Sequence, residues 1–493
     1  MLVYAFVSNG SQEALTALCS QRLPKRIGWR ERDNRDSHMK KQLVIAVLMV
    51  TATISHPALA SHEDAVRKIV SDPAGMAAPG CAVGVFRAGK PVLITAGGAA
   101  DIAGKQALDA DTLFYAASVS KQFTALAAAQ LVEAGKIGLD DDIRKYFPEM
   151  LTSDVPITVA MLMHHSAGIR DSLELLRIAG FPRASATDKE TALQLLLRQQ
   201  DTNFTPGTEY SYSNGGYLML AEIVERVSGM PFAEYAQRHI LKPLGMKRSF
   251  FMNDAAPTAA NVAHGYVSGN DGFAVRDTYP LFSGSGGLMV SINDLARYDR
   301  DIEISHTVWT PAIAKILLTP GSFANGDPVV DRRSGMAYAG GLHVGNRKGQ
   351  YFVQHGGSAE AFKSMYARLP ERRLGVAMLC NRSDWNAGDK ADAVFEAIEG
   401  PGLLKLTELG DTLAGRFYSG DLDTYYDFAM QEGKLIAEVS STFAGPEAAT
   451  VTFEEQSDGS YNAKGTRLLF DGDSNGFTLS TGRITAIRFV RIQ

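Results

Sequence analysis

Cysteine is scarce: the chain holds three in 493 residues, Cys19, Cys81 and Cys380. Residues so far apart supply neither a metal-ligand spacing nor the disulfide framework of a small secreted domain. Cys81 and Cys380 each lie in an apolar run, PGCAVGVF and GVAMLCN. Both are expected to behave as small buried hydrophobes, with a bridge between them the less expected state.

Runs of a single charge sign are also missing. Lys and Arg total 49 against 54 Asp and Glu, a formal net charge of -5. No polybasic stretch or acidic tail stands out, so nucleic acid is not an expected partner. The ten histidines contain no His-Glu-x-x-His, and His164 and His165 are adjacent, hence poorly placed to share a metal. No metal and no organic cofactor is expected. Internal repeats and low-complexity tracts are absent.

The one apolar run near the start, 43–54, is too short to span a bilayer comfortably. It lies within MKKQLVIAVLMVTATISHPALASHE, which begins at Met39 and carries two lysines, the apolar core and then Ala58-Leu59-Ala60. That order is a secretory signal peptide over 39–60 with cleavage after Ala60. The protein is therefore expected to be exported, periplasmic or secreted, with no stable membrane span after cleavage. Residues 1–38 are polar, Arg-rich from Gln21, and read as an upstream extension of the frame. A membrane anchor with a cytoplasmic tail is the alternative, which no second spanning segment supports.

What remains is an ordinary globular composition, 45% hydrophobic and 21% charged, in a chain too long for one core. Residues 80–97 read as two strands joined at Ala88-Gly89-Lys90. A helix follows Ser118, with Phe123, Leu126, Ala127, Leu131 and Val132 on one face and Gly135 past its end. Another covers 217–228 with Leu220, Ile223, Val224 and Val227 on one side, and Ser291 caps a third. Strands return at 351–354, 363–369 and 373–380, and a helix at 388–398 closes the unit. Strands at both ends with helices between predict an α/β (α+β) domain over 61–402: one antiparallel sheet carrying a helical insert. From 407 to 493, short alternating runs separated by turn residues predict a small all-β barrel.

Three short motifs carry chemistry. Ser118 and Lys121 are three residues apart, nearly one helical turn, so hydroxyl and amine can lie side by side. As a base Lys121 needs a pKa lowered toward ~7–8, which burial supplies; otherwise Ser118 is a helix cap. A second Ser-x-x-Lys at Ser37–Lys40 straddles the start of the leader and carries no weight. Tyr212-Ser213-Asn214 lies in a glycine-rich loop, where a phenol could relay a proton and an amide hold a substrate. His355-Gly356-Gly357-Ser358 follows a strand, with glycines that allow a substrate close to the backbone. Gly472-Asp473-Ser474-Asn475-Gly476 fits the nucleophile elbow G-x-S-x-G, but its flanking strands and turn-forming letters make it a hairpin.

Taken in order, Ser118–Lys121, Tyr212–Asn214 and His355–Gly357 resemble the serine β-lactamase and penicillin-binding protein superfamily. The resemblance is to the branch of class C β-lactamases, D-aminopeptidases, DD-carboxypeptidases and esterases. It covers roughly 63–400, with phrases such as FYAASVSKQFTALAAAQLVEAGKIGLDDDIRKYFPE, PITVAMLMHHSAGI and HGGSAEAFKSMYARLP. The tail is similar to a lipocalin-like domain.

The resemblance implies that Ser118 is the acylated nucleophile, Lys121 its base and Tyr212 a partner in proton transfer. Asn214, His355 and Gly357 would bind substrate, and the N–H groups of Ser118 and Ser358 would form the oxyanion hole. The substrate would be a small molecule or peptide: a D-alanyl peptide, an ester or a β-lactam. The family's Lys-Thr-Gly is His-Gly-Gly here, His-Thr-Ser-Gly is His165-Ser166-Ala167-Gly168, and Gly-Phe is Ala361-Phe362. A histidine, mostly uncharged at neutral pH, suits a substrate carboxylate less well than a lysine. A D-amino-acid peptidase or esterase is therefore expected ahead of a class C-type β-lactamase. A penicillin-binding sensor that acylates without turnover is a further alternative.

Overall fold

A computed structural model describes residues 57–150, 155–181, 187–270, 272–400, 403–404, 413–431, 434–441, 445–456, 459–471, 476–481 and 486–492. The extension 1–38 and the expected leader lie outside these residues, apart from 57–60, which fall in the first turn of helix α1 (Pro57–Val70). Residues 472–475 of the rejected elbow also lie outside, but Phe470 and Phe477 on either side of them pair across an antiparallel ladder.

The central sheet has eight strands drawn from both ends of its domain. They are β1 (Cys81–Arg87), β2 (Lys90–Gly97), β3 (Val330–Asp331), β4 (Met336–Tyr338), β5 (His343–Arg347), β6 (Gln350–Ser358), β7 (Lys363–Leu369) and β8 (Leu374–Cys380). Their order across the sheet is β3-β4-β5-β6-β7-β8-β1-β2, antiparallel throughout. Ala88 and Gly89, with φ of 49° and 71°, make the two-residue turn that matches the twist of a β1–β2 hairpin.

Both faces of the sheet are covered, so β1 and β8 read as apolar runs without strict alternation. Cys81, Val83 and Val85 pack with Val66 and Val70 of α1 and with Val394 and Phe395 of a later helix (Ala387–Glu399). Ala82 and Phe86 face the larger core on the opposite side. Cys81 and Cys380 are directly opposed across β1 and β8 and joined by a disulfide, S–S 2.01 Å. The expectation of two free buried thiols is thus corrected: they are buried, but register across a ladder brings together cysteines 299 residues apart.

The helical insert places α2 (Ser120–Glu133) at the centre of the larger core. Its residues 120–129 are all buried, so it is a helix enclosed on every side rather than one with a single apolar face. Helix α3 (Ser172–Ile178) and helix α4 (Asn214–Ser228) pack nearby, α4 directly on α2. Beyond them, α5 (Ile292–Arg300) is capped by Ser291 as its sequence predicts, and α6 (Pro311–Leu318) leans on α2.

After residue 413 the chain forms a closed barrel of eight strands joined in sequence order, from Gly415–Ser419 to Ile487–Arg491. Phe417, Phe428, Phe453, Phe477 and Phe489 fill its core. The outer strands close it through Phe417 opposite Arg491. Among the described residues, no helix is long and apolar enough to cross a membrane.

Candidate active site

Ser118 lies in a single tight turn, Ala117–Val119, between a short strand and α2. Ala117 has φ +48°, a left-handed conformation that costs a non-glycine residue roughly 1 kcal/mol. The Ser120 hydroxyl holds this turn, donating to the Ala117 carbonyl at 2.6 Å and accepting from the Leu288 N–H at 3.2 Å. Ser118 itself caps no helix, since neither the turn nor α2 has a side-chain cap bond. The capping alternative therefore falls. Its side chain meets Lys121, whose Nζ lies 3.1 Å from Ser118 Oγ.

Lys121 is fully buried and has two other fixed partners, Asn214 Oδ1 and the Ser285 carbonyl, each at 2.8 Å. Burial lowers its pKa from 10.5 to about 7, opposed in part by the charge of Asp171. A neutral amine has two hydrogens and one lone pair. With Asn214 and Ser285 accepting the two hydrogens, the lone pair faces the Ser118 hydroxyl.

Tyr212 stands over the amine, its ring centroid 4.7 Å from Nζ. Burial raises the phenol above its ordinary value, so it stays protonated near neutrality. His165 packs against Tyr212 with centroids 4.3 Å apart, and its Nδ1 accepts from the Ser213 N–H.

Asn214 opens α4, and its side chain is more constrained than a free substrate-binding amide would be. Oδ1 holds Lys121, while Nδ2 and the backbone N–H both donate to Asp171 Oδ2 at 2.8 Å. One Nδ2 hydrogen remains for substrate. Asp171 also caps α3 through the N–H groups of Leu173 and Glu174.

Because Asp171 orients Asn214 and its charge supports the ammonium form of Lys121, the two effects can be separated by substitution. Asp171→Ala should lower kcat about tenfold or more by freeing the amide. Asp171→Asn should keep most of kcat yet move the ascending limb of the pH–rate profile to lower pH, since Asp171 raises the Lys121 pKa. An unmoved limb would count against this link.

His355, Gly356, Gly357 and Ser358 lie within β6 rather than after a strand, paired to β7 through Tyr366, Met365, Ser364 and Lys363. Gly357 lies against the Ser118 turn, where an added Cβ would meet the Ala116 carbonyl oxygen at 2.4 Å and the Ser118 nitrogen at 3.1 Å. Only glycine lets the strand edge come so near. The Ser364 hydroxyl ties the same turn to β7 by donating to the Ala116 carbonyl at 2.6 Å.

His355 is buried, with Nε2 2.9 Å from the Tyr338 hydroxyl and Nδ1 2.6 Å from the Gly356 carbonyl. Burial first, then the charges of His343 and Lys121, hold it well below its ordinary pKa and therefore neutral. A fixed cation at this position is absent, as the sequence suggests.

Ser118 is reached from two recesses. The larger, about 890 Å³, is lined by Tyr212, Asn214, His355, Ser358 and the cationic residues Arg332, Arg333 and Lys363. The smaller, about 270 Å³, is lined by Tyr115, Leu173, Tyr279 and Glu360. The barrel touches the rim of the larger one, where Arg467 donates to the Arg333 carbonyl at 2.7 Å.

A hydroxyl facing a buried, desolvated amine beneath a cleft, with a phenol across from both, defines a serine hydrolase. The chain belongs to the beta-lactamase family, whose model matches residues 66–400. It is similar to the D-aminopeptidase of Brucella canis, 28% identical over 327 residues. That match takes in 65% of this chain and 60% of the Brucella protein, so the chain spans about three fifths of the length of that relative. Among solved structures it is similar to the octameric penicillin-binding protein homologue of Pyrococcus abyssi, with TM-score 0.59 and 22% identity over 84% of this chain and 96% of that one. The D-amino acid amidase of Ochrobactrum anthropi SV3 is comparable, with TM-score 0.56 and 20% identity over 69% and 99%. These two share the fold.

Proposed function

We propose that this serine hydrolase is an exported enzyme that cleaves an amide or ester of a D-amino acid, or a related ester, through an acyl-serine intermediate. The observation that carries the reading is Lys121 Nζ at 3.1 Å from Ser118 Oγ in a buried cradle. Neutral Lys121 takes the Ser118 proton as Oγ bonds to the substrate carbonyl carbon. The oxyanion is held by the N–H groups of Ser118 and Ser358, on facing backbone segments that Gly357 keeps close. Collapse breaks the bond to the leaving nitrogen or oxygen, which receives its proton through Tyr212. Water then attacks the acyl-enzyme with the same groups acting in reverse.

The likeness to a D-aminopeptidase supports the D-amino-acid reading. Export rests on the leader pattern at 39–60. The neutral His355 favours peptidase or esterase action over β-lactam hydrolysis. The second reading, a β-lactamase, draws on Arg332, Arg333 and Lys363 in the larger recess, which could receive a carboxylate.

A panel of short-chain p-nitrophenyl esters, D- and L-alanyl p-nitroanilides, D-Ala-D-Ala peptides and nitrocefin decides between them. Steady turnover of esters and D-alanyl amides is expected, with kcat/KM for nitrocefin lower by about two orders of magnitude. Nitrocefin as the fastest substrate would make the β-lactamase reading the correct one. A stoichiometric burst without turnover would make the protein a sensor.

A further inference from the structure

Among the described residues, the two recesses at Ser118 have Ser118, Asn214 and Ser358 in common, while Tyr212 lines the larger and not the smaller. On the acyl-transfer reading above, on which this inference rests, Tyr212 passes a proton to the leaving group. The leaving half of the substrate therefore lies in the larger recess and the acyl half in the smaller. The two recesses differ in charge. Arg332, Arg333 and Lys363 line the larger, and its carboxylate, Asp331, is held by His343 at 2.9 Å. Glu360 is the one formally charged residue among the described residues that line the smaller.

Glu360 sits in the turn between β6 and β7, which the Ala359 N–H closes by donating to the Phe362 carbonyl at 2.9 Å. It follows Ser358 by two residues, at most about 7 Å of chain, so it stays near the carbonyl that the Ser358 N–H receives. The Thr278 hydroxyl donates to Oε2 and orients the carboxylate. Arg276 Nε stands 3.6 Å from Oε1, beyond hydrogen-bond distance, so Oε1 keeps lone pairs for another donor. Tyr115 and Tyr279 stack with centroids 4.4 Å apart and give the same recess an aromatic wall. Its volume, about 270 Å³, is at the low end for ligand cavities and suits one small residue better than a longer acyl chain.

We propose that Glu360 is a specificity-determining residue: its carboxylate receives the free α-ammonium of the residue whose carbonyl Ser118 attacks, so the enzyme takes unblocked amino-terminal residues. An N-acyl group fails twice, because it removes the charge and adds length that the recess lacks. In the larger recess the same ammonium would face Arg332, Arg333 and Lys363, which sets the direction in which the substrate enters.

The test compares D-alanyl p-nitroanilide, its N-acetyl derivative, p-nitrophenyl butyrate and p-nitrophenyl hemisuccinate at pH 7, where an α-amine is mostly protonated. The free anilide is expected to exceed its N-acetyl derivative in kcat/KM by about 30-fold or more. Glu360→Gln should cut the ratio of kcat/KM for the free anilide over butyrate about tenfold, chiefly through KM, and Glu360→Asp should retain most of that ratio. Glu360→Lys should raise hemisuccinate relative to butyrate about tenfold. Because Glu360 is 47% exposed, the free-anilide ratio of the unaltered enzyme should also fall with added salt, which a merely structural role would not produce. Equal rates for the free and acetylated anilides would overturn the assignment, as would ratios that Glu360→Gln and Glu360→Lys both leave unmoved. Ester turnover without cleavage of the free anilide would do the same while leaving the hydrolase reading intact. No turnover of any of these substrates would overturn that reading, and the role of Glu360 with it.

Discussion

Ser118→Ala is expected to lower kcat at least about 10⁴-fold and to abolish covalent labelling by a fluorophosphonate or a fluorescent penicillin. Among the described residues, the hydroxyl is the one hydrogen-bonded oxygen partner of the Lys121 amine that has a proton to give, because the other two partners are a carboxamide oxygen and a backbone carbonyl. Its removal leaves Lys121 and the facing N–H groups in place, so the small residual rate reports what they achieve without a nucleophile. Folding is little disturbed, since Ser118 Oγ neither caps a helix nor ties two strands.

A rival pair makes the experiment discriminating. Ser358 Oγ lies 2.8 Å from Lys363 Nζ in the same cleft, and burial lowers the Lys363 pKa. That amine is also bonded to the Ala359 carbonyl at 3.1 Å, and Ser358 is exposed at the strand end. Ser358→Ala should therefore label normally. Labelling that survives Ser118→Ala and disappears in Ser358→Ala would move the nucleophile to β6.

The contrast between the two serines shows how far a linear reading reaches. Ser118 and Lys121 were legible because one helical turn makes spacing a proxy for distance. Tyr212 and His355 were legible from the order of motifs, and the two sheet edges from apolar runs and turn residues. Ser358–Lys363 escaped because it spans a strand crossing, β6 to β7, which only ladder register reveals. The Cys81–Cys380 bridge escaped for the same reason.

Asp171 was hidden by its more ordinary duty. It begins Asp171-Ser172-Leu173-Glu174, a helix-start pattern, and its second oxygen reaches the catalytic cleft only because α3 and α4 pack together. The Ser285 carbonyl leaves no trace in side-chain identity, and any residue could have supplied it. The enclosure of α2 on all sides was masked because its alanines and threonine show no charged face to mark burial, and the sheet-side contacts come from distant sequence.

The pH dependence of kcat/KM should be a single ascending limb with its midpoint near pH 7, flat above it to at least about pH 9. The sign follows from the base. Lys121 works when neutral, and burial brings its pKa to about 7, so activity is lost as pH falls through that value and the amine gains a proton. Tyr212 supplies no descending limb in this range, because burial pushes its pKa upward and keeps the phenol protonated. His355 adds no limb either, being held neutral well below its ordinary value. The same displacement has a thermodynamic side. Lowering a lysine from 10.5 to about 7 corresponds to on the order of 5 kcal/mol of stability forgone at the nucleophile's side. The unfolded chain binds the proton between those values, so this contribution destabilises the fold most below pH 7 and fades as pH rises toward 10.5. Lys121→Ala should remove the limb together with at least about 10³-fold of kcat/KM, and Lys121→Arg, always charged, should be equally inactive. A profile whose midpoint stays near pH 7 in the residual activity of Lys121→Ala would assign the titrating base to another group.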